Sequence, residues 1–268
     1  MATTQQAAAA SPVSGNLLFY KTPEPLSREQ HGGLGVRRLD KPYAFAAVGH
    51  VVPLTVAEFG FAAISYPIIF GGDQRLPLAV LGINPGENLF VKDGAYVNGT
   101  YVPAYVRRYP FVLASDEAQS RMVVCIERTA ELFADAAGAD MPLFTEAGEP
   151  SEYTQNAIKF CEDFETERRR TESFVKLLTD LDLFETREAT FNQPNADGTT
   201  TLIKLAEYFA VSEAKLAALS AEKLAELRDS GALEKIYNHI TSLAGWDRLV
   251  AIASEEATLR AQAAANVQ

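Results

Sequence analysis

Two cysteines, three histidines and one tryptophan in 268 residues leave little material for several kinds of chemistry. Cys125 and Cys161 are too few for the disulfide framework of a small secreted domain and are not spaced as Cys-x-x-Cys, so both are expected as buried thiols. The histidines, His31, His50 and His239, lie far apart with no His-x-x-x-His pair, whereas a metal site needs several ligands that converge. No metal and no cofactor is therefore expected. A site near His50 that recruits Glu58, Glu87 and Arg107 is the enzymatic alternative. There is no Gly-x-Ser-x-Gly elbow, and neither cysteine has a neighbouring base; Ser65 or Cys125 becomes a nucleophile only if the fold supplies the partners. Gly32-Gly33-Leu34-Gly35 lacks the third glycine of a dinucleotide loop and a following helix pattern, and no Walker Lys-Ser/Thr is present. Gly82 to Asn88 shares only glycine content with a phosphate loop and reads as a turn between strands.

Positive charge is also short. The formal net charge is -11 with a pI near 4.9. Affinity for phosphate backbones or anionic lipid needs clustered cations, so nucleic acid is excluded as an expected partner. No run approaches the roughly 18–20 uncharged apolar residues that cross a bilayer, and the first ten residues lack the cationic and apolar regions of a secretory signal. Membrane insertion is not expected, and the expected location is the cytoplasm.

What is present is an ordinary globular balance, 47% hydrophobic and 22% charged, enough to bury a core. Residues 1–16, rich in Ala, Gln, Thr and Ser, read as a disordered tail, and 257–268 as a second tail that extends a helix or frays. Between them, 17–256 reads as one α+β domain, β-rich over 17–127 and mainly helical over 151–256. The first part has short Val-, Ile-, Phe- and Tyr-rich runs punctuated by Gly and Pro, which predicts strands at Leu17–Tyr20, Leu34–Leu39, Ala44–Val52, Pro67–Phe70, Leu78–Ile83, Asn88–Val91 and Arg121–Ile126. Gly71-Gly72-Asp73, Asp93-Gly94 and Asn98-Gly99 predict turns.

One helix interrupts the strands. Thr55 with Glu58 three residues on is a capping box, Pro67 marks the end, and Phe59, Phe61 and Ile64 are expected to pack into the core. From Ser151 the period becomes helical, with Ile158, Cys161, Phe164, Phe174, Leu177, Leu178 and Leu181 on one stripe. A strand-like stretch at Leu183–Phe191, a turn at Asn195–Gly198 and Leu202–Val211, whose type the pattern leaves open, come next. Ser212 and Ser220 are candidate N-caps, Gly231 is placed as a C′ residue, and a final helix is expected over Ala232–Ala253.

The segment with most chemical character is Gly86-Glu87-Asn88-Leu89-Phe90-Val91 and, after a Gly-rich turn, Tyr101 to Phe111. If 101–109 is extended, Tyr101, Tyr105, Arg107 and Tyr109 share a face; if Pro103 opens a short helix, that face dissolves. An arginine between tyrosines can stack and can hold a carboxylate, so Glu87, Asn88, Tyr101, Tyr105, Arg107, Arg108 and Tyr109 are the candidate residues for binding a partner or a small acidic ligand. The alternative is an internal pair between Glu87 and one of the arginines, with the other reaching solvent.

His31 to Arg38, Pro53-Leu54 with Glu58-Phe59, Tyr66 to Phe70, Gly86 to Phe90, Tyr101 to Phe111 and Gly231 to His239 together resemble the SapC family of bacterial proteins, in order over about 17–250. Gly94-Ala95-Tyr96 departs from the family, whose members often carry a tryptophan there. The resemblance implies no catalytic residue. It implies an accessory or binding role beside TonB-dependent uptake receptors or flavin-dependent halogenase-like proteins, an association rather than a mechanism. Its name implies, as an alternative, a surface-layer-associated protein.

Overall fold

A computed structural model describes residues 17–116, 121–194 and 199–265; the expected tail at 1–16 and the turn at Asn195–Gly198 lie outside them. In chain order the strands are β1 (Pro23–Pro25), β2 (Leu34–Val36), β3 (Val51–Pro53), β4 (Ile68–Gly71), β5 (Leu76–Val80), β6 (Val91–Lys92) and β7 (Ala95–Tyr96). They continue with β8 (Phe111–Asp116), β9 (Arg121–Glu127), β10 (Phe133–Asp135), β11 (Met141–Pro142), β12 (Phe184–Pro194) and β13 (Thr200–Val211). The helices are α1 (Arg28–His31), α2 (Phe59–Ser65), α3 (Ala104–Arg107), α4 (Glu152–Asp180), α5 (Glu213–Ala217), α6 (Ala221–Asp229), α7 (Ala232–Ser242) and α8 (Gly245–Ala265). The class is α+β with antiparallel sheets, strand-rich first and helical later.

The chain divides into two compact units, each drawn from two stretches: 1–42 with 108–165, and 43–107 with 166–268. One boundary falls between Arg107 and Arg108 and another inside α4.

In the first unit a sheet of order β1-β9-β8 stands with a smaller one of order β10-β2-β11. Side chains alternate across β8, so Phe111 joins a cluster with Val36, Ile126, Leu143 and Cys161, while Val112 and Ala114 join Tyr20 and Cys125. Leu17–Tyr20 is a turn rather than a strand: Phe19 takes φ 75° and the Tyr20 amide bonds to the Leu17 carbonyl. β8 was not among the expected strands, because its apolar residues follow directly on the aromatic run.

In the second unit the sheet order is β12-β13-β4-β5-β3. The hairpin at Gly71-Gly72-Asp73 and the turns at Asp93-Gly94 and Asn98-Gly99 form as expected, with Gly72, Gly94 and Gly99 at φ between 69° and 80°. Ala44–Val52 is not one strand but a 3-10 helix over Ala44–Val48 followed by β3, since Asn88 draws off its carbonyls: the Asn88 amide bonds to Ala47 O and its side chain to Ala46 O. Asn88–Val91 is correspondingly irregular, with pairing starting only at Val91. Leu202–Val211 falls within β13, which pairs with β12 along its length.

The capping box forms, although the chain first makes a 3-10 turn over Val56–Glu58 before α2. Gly231, at φ 74°, ends α6 in the left-handed conformation and opens α7. The expected single last helix is two, because Gly245 passes so close to Pro67 that a Cβ would lie 3.3 Å from its ring; α8 then runs on to Ala265. The core gathers Phe59, Phe70, Phe174 and Phe184 edge to face, with Tyr66, Ile68, Leu81, Leu178 and Ile236. No helix among the described residues is long and apolar enough to cross a membrane.

Candidate functional site

The site in the second unit is organised by the Glu58 carboxylate, buried at the start of α2. Oε2 accepts from the Thr55 amide at 2.8 Å and its hydroxyl at 2.9 Å; Oε1 accepts from the Ala104 amide at 2.6 Å and the Tyr101 hydroxyl at 3.1 Å. Four donors satisfy a charge that burial alone would make costly. The capping box thus does more than start a helix. It anchors the 101–104 segment along it.

Tyr101 lies lengthwise against α2. Its amide donates to Ser65 Oγ at 3.1 Å and its carbonyl accepts from the Tyr66 hydroxyl at one end, while its own hydroxyl reaches Glu58 at the other. The ring stacks on Phe61, centroids 5.8 Å apart and planes 18° apart. Burial and then the Glu58 charge push the Tyr101 phenol up to about 12, against the opposing pull of Arg107, so it stays a donor at neutral pH. Arg107 closes the arrangement: Nη2 donates to the Tyr101 hydroxyl and Nε to the Val102 carbonyl, both at 3.0 Å, with the guanidinium 5.7 Å from the Tyr101 ring centre.

The outer face is apolar. Phe61 is 67% exposed and Ile64 75% exposed, against the expectation that both pack inside. The reason is angular: at 3.6 residues per turn Phe61 sits about 200° from Phe59, and the buried side of α2 is taken by Phe59, Ala62 and Ser65. At the end of the helix Arg248 of α8 donates to the Ile64 carbonyl at 3.2 Å.

Pro103 opens α3, so the alternative in which 101–109 is extended is not adopted, and the candidate residues scatter. Tyr101 and Arg107 come together. Tyr105 is buried in the same unit. Glu87 bonds Asn84 at 3.0 Å and pairs with Arg260 at 2.6 Å rather than with either arginine of the motif. The Asn84 bond, with Arg260 helping against partial burial, holds its carboxyl below the usual range. Asn88 is buried, its side chain spent on Ala46 O and the Phe90 amide. Arg108 and Tyr109 belong to the first unit, where Arg108 lies over Phe164 at 4.6 Å and Tyr109 tilts on Tyr20 at 5.4 Å. Phe61, Ile64 and Arg248 were not among the candidates.

The side chains of His31 and His239 are occupied structurally, both thiols are buried, and His50 takes part through its backbone. His50 contributes its carbonyl to the Leu81 and Gly82 amides. His31 bonds Glu24 at 2.8 Å and Ser27, and both ring nitrogens of His239 bond backbone. Burial raises the Cys125 and Cys161 thiols to about 11. Among the described residues no group of three or more His, Cys, Asp or Glu is placed to hold a metal ion.

A family model described as SapC matches residues 26–249. No curated protein and no solved structure matches the chain.

Proposed function

The chain belongs to the SapC family, and on that premise we propose that it is a binding protein whose working surface is the Phe61–Ile64 face of α2 with Tyr101 and Arg107. One observation carries this reading: a large aromatic side chain is held exposed by a stacked, hydrogen-bonded partner instead of being folded inward. Single exposed apolar residues are ordinary, but two adjacent ones, backed by a rigid ring and flanked by guanidinium groups, have the composition of an interface centre. The Glu58–Tyr101–Arg107 chain serves to hold that surface in shape. The association implied by the family resemblance makes TonB-dependent receptors and flavin-dependent halogenase-like proteins the first partners to look for.

The test is affinity capture from the native host with full-length protein, wild type against the Phe61→Glu/Ile64→Glu double variant. Proteins recovered with wild type and lost with the variant are the expected result. Recovery of the same set with both, or of nothing with either, overturns the proposal.

A further inference from the structure

We propose that the end of α8, residues 254–265, is a strap: two ion pairs hold it to the segment 87–92, and rising ionic strength releases it. Leu249, Ala253, Glu256 and Arg260 follow one another at intervals of four, three and four residues, so they share one side of the helix. Leu249 and Ala253 are buried. Beyond Ala253 every described residue of α8 is exposed except Glu256. The stripe that anchors the helix therefore changes from apolar to ionic at its middle, and Leu259, in the ionic half, is left 52% exposed.

The two ties run in opposite senses. Glu256 of the helix pairs with Lys92 of β6, and Arg260 of the helix pairs with Glu87 at 2.6 Å. The side chains of Lys92 and Arg260 are 53% and 66% exposed, so salt screens both pairs, and each shifts an equilibrium by about fivefold at most. The 87–92 segment is the fixed side: the Leu89 amide donates to Leu81 O, the Asn88 amide to Ala47 O and the Asn88 side chain to Ala46 O. The helix is the side that can give way. Residues 254–265 extend a helix already nucleated over its buried half, and each residue added to such a helix is favoured only slightly. Two contacts of a few fold each then decide whether the strap is wound and docked. Its release uncovers the Glu87 carboxylate, an acid of the sequence motif that the α2 face does not use.

The experiment is amide hydrogen exchange of full-length protein, read by mass spectrometry at pH 7 in about 20 mM and about 500 mM sodium chloride. Amides of 254–265 should exchange about three- to tenfold faster in the higher salt, while those of α4, whose ion pairs lie within one core-packed helix, should not change. Lys92→Glu leaves the helix sequence untouched and sets two carboxylates against each other, so it should speed exchange of the strap already in low salt. Glu256→Lys should do the same, and the Lys92→Glu/Glu256→Lys double variant should restore slow exchange, a rescue that helix propensity alone does not produce. Arg260→Gln should remove part of the protection and part of the salt dependence. Exchange of 254–265 at unprotected rates in low salt, a salt response no larger than that of α4, indifference to Lys92→Glu, or no rescue in the double variant each overturns the proposal.

Discussion

The Ile68 carbonyl accepts a hydrogen bond at 2.8 Å from Nδ1 of His239, whose Nε2 accepts at 3.1 Å from the Val211 amide. β13 and β4 pair at Phe209 and Phe70, so two residues further along Val211 and Ile68 would face each other in the ladder. The imidazole stands in for the missing backbone bond, and Ser242 on the same helix accepts from the Ile68 amide at 2.9 Å. Helix α7 is thereby fastened into a gap in the sheet.

This fastening predicts acid sensitivity. Burial pushes His239 down from 6.5 to about 4, the bond to Ile68 opposing it only in part. Between those values the unfolded chain binds a proton that the folded one refuses, so stability is full above about pH 6.5 and falls as pH drops toward 4. The whole difference is on the order of 3 kcal/mol. Urea titrations across this range check it. His239→Gln should lose about 2–4 kcal/mol at neutral pH and flatten the slope, because two buried backbone groups lose their partner.

Glu127 adds a second acid-labile contact. Burial would raise its carboxyl, but bonds from the Thr129 hydroxyl and from the Thr22, Lys21 and Thr129 amides outweigh that and hold it below 4.5. A depressed carboxylate stabilises above its unfolded value and loses that contribution as pH falls through the folded one. Glu127→Gln should cost about 2–4 kcal/mol at pH 7, since an amide offers one acceptor oxygen where the site supplies donors to two. Denaturant melts at neutral pH would show no change if this account is wrong.

How much of this was legible depended on how local each signal is. The Thr55–Glu58 capping box, Gly231 as helix end and start, and the Asp93-Gly94 turn are set within a few residues, and they formed. Ala44–Val48 failed because the groups that satisfy its carbonyls come from Asn88, some 40 positions on. At the candidate site Tyr101 and Arg107 stood out by residue type, but the extended spacing that would have put them on one face is not adopted, and the role of Glu58 depends on Ala104 and Tyr101 approaching it from a distant segment. The exposure of Phe61 and Ile64 follows from their helical angle to Phe59, which apolar character alone does not encode.

Tyr101→Phe isolates the hydroxyl at the centre of the network. The stack on Phe61 survives, while Glu58 Oε1 loses one of its two donors and Arg107 Nη2 loses this acceptor. Thermal melts should show a loss of about 1–2 kcal/mol. Partner capture should weaken more than that loss implies, because Arg107 loses its tie to the ring hydroxyl that aligns it with the α2 face. Unchanged capture would mean that the network does not shape the face.

Arg107 and Arg108, adjacent in sequence, should respond oppositely to truncation. Arg107 is exposed, and hydrogen bonds such as those to the Tyr101 hydroxyl and the Val102 carbonyl contribute little to stability where water can replace them. Arg107→Ala should stay within about 1 kcal/mol of wild type. Arg108 is half-buried in the other unit, its guanidinium 4.6 Å from the centre of the buried Phe164 ring and 5.9 Å from that of Tyr20. Arg108→Ala should therefore cost about 1–3 kcal/mol and lower the melting temperature clearly, without affecting partner capture through the α2 face. Because the two residues differ in unit as well as exposure, one pair of thermal melts and one pair of captures separates their roles. A stability loss confined to Arg107→Ala, or a binding loss confined to Arg108→Ala, would reverse this assignment and move the working surface to the first unit.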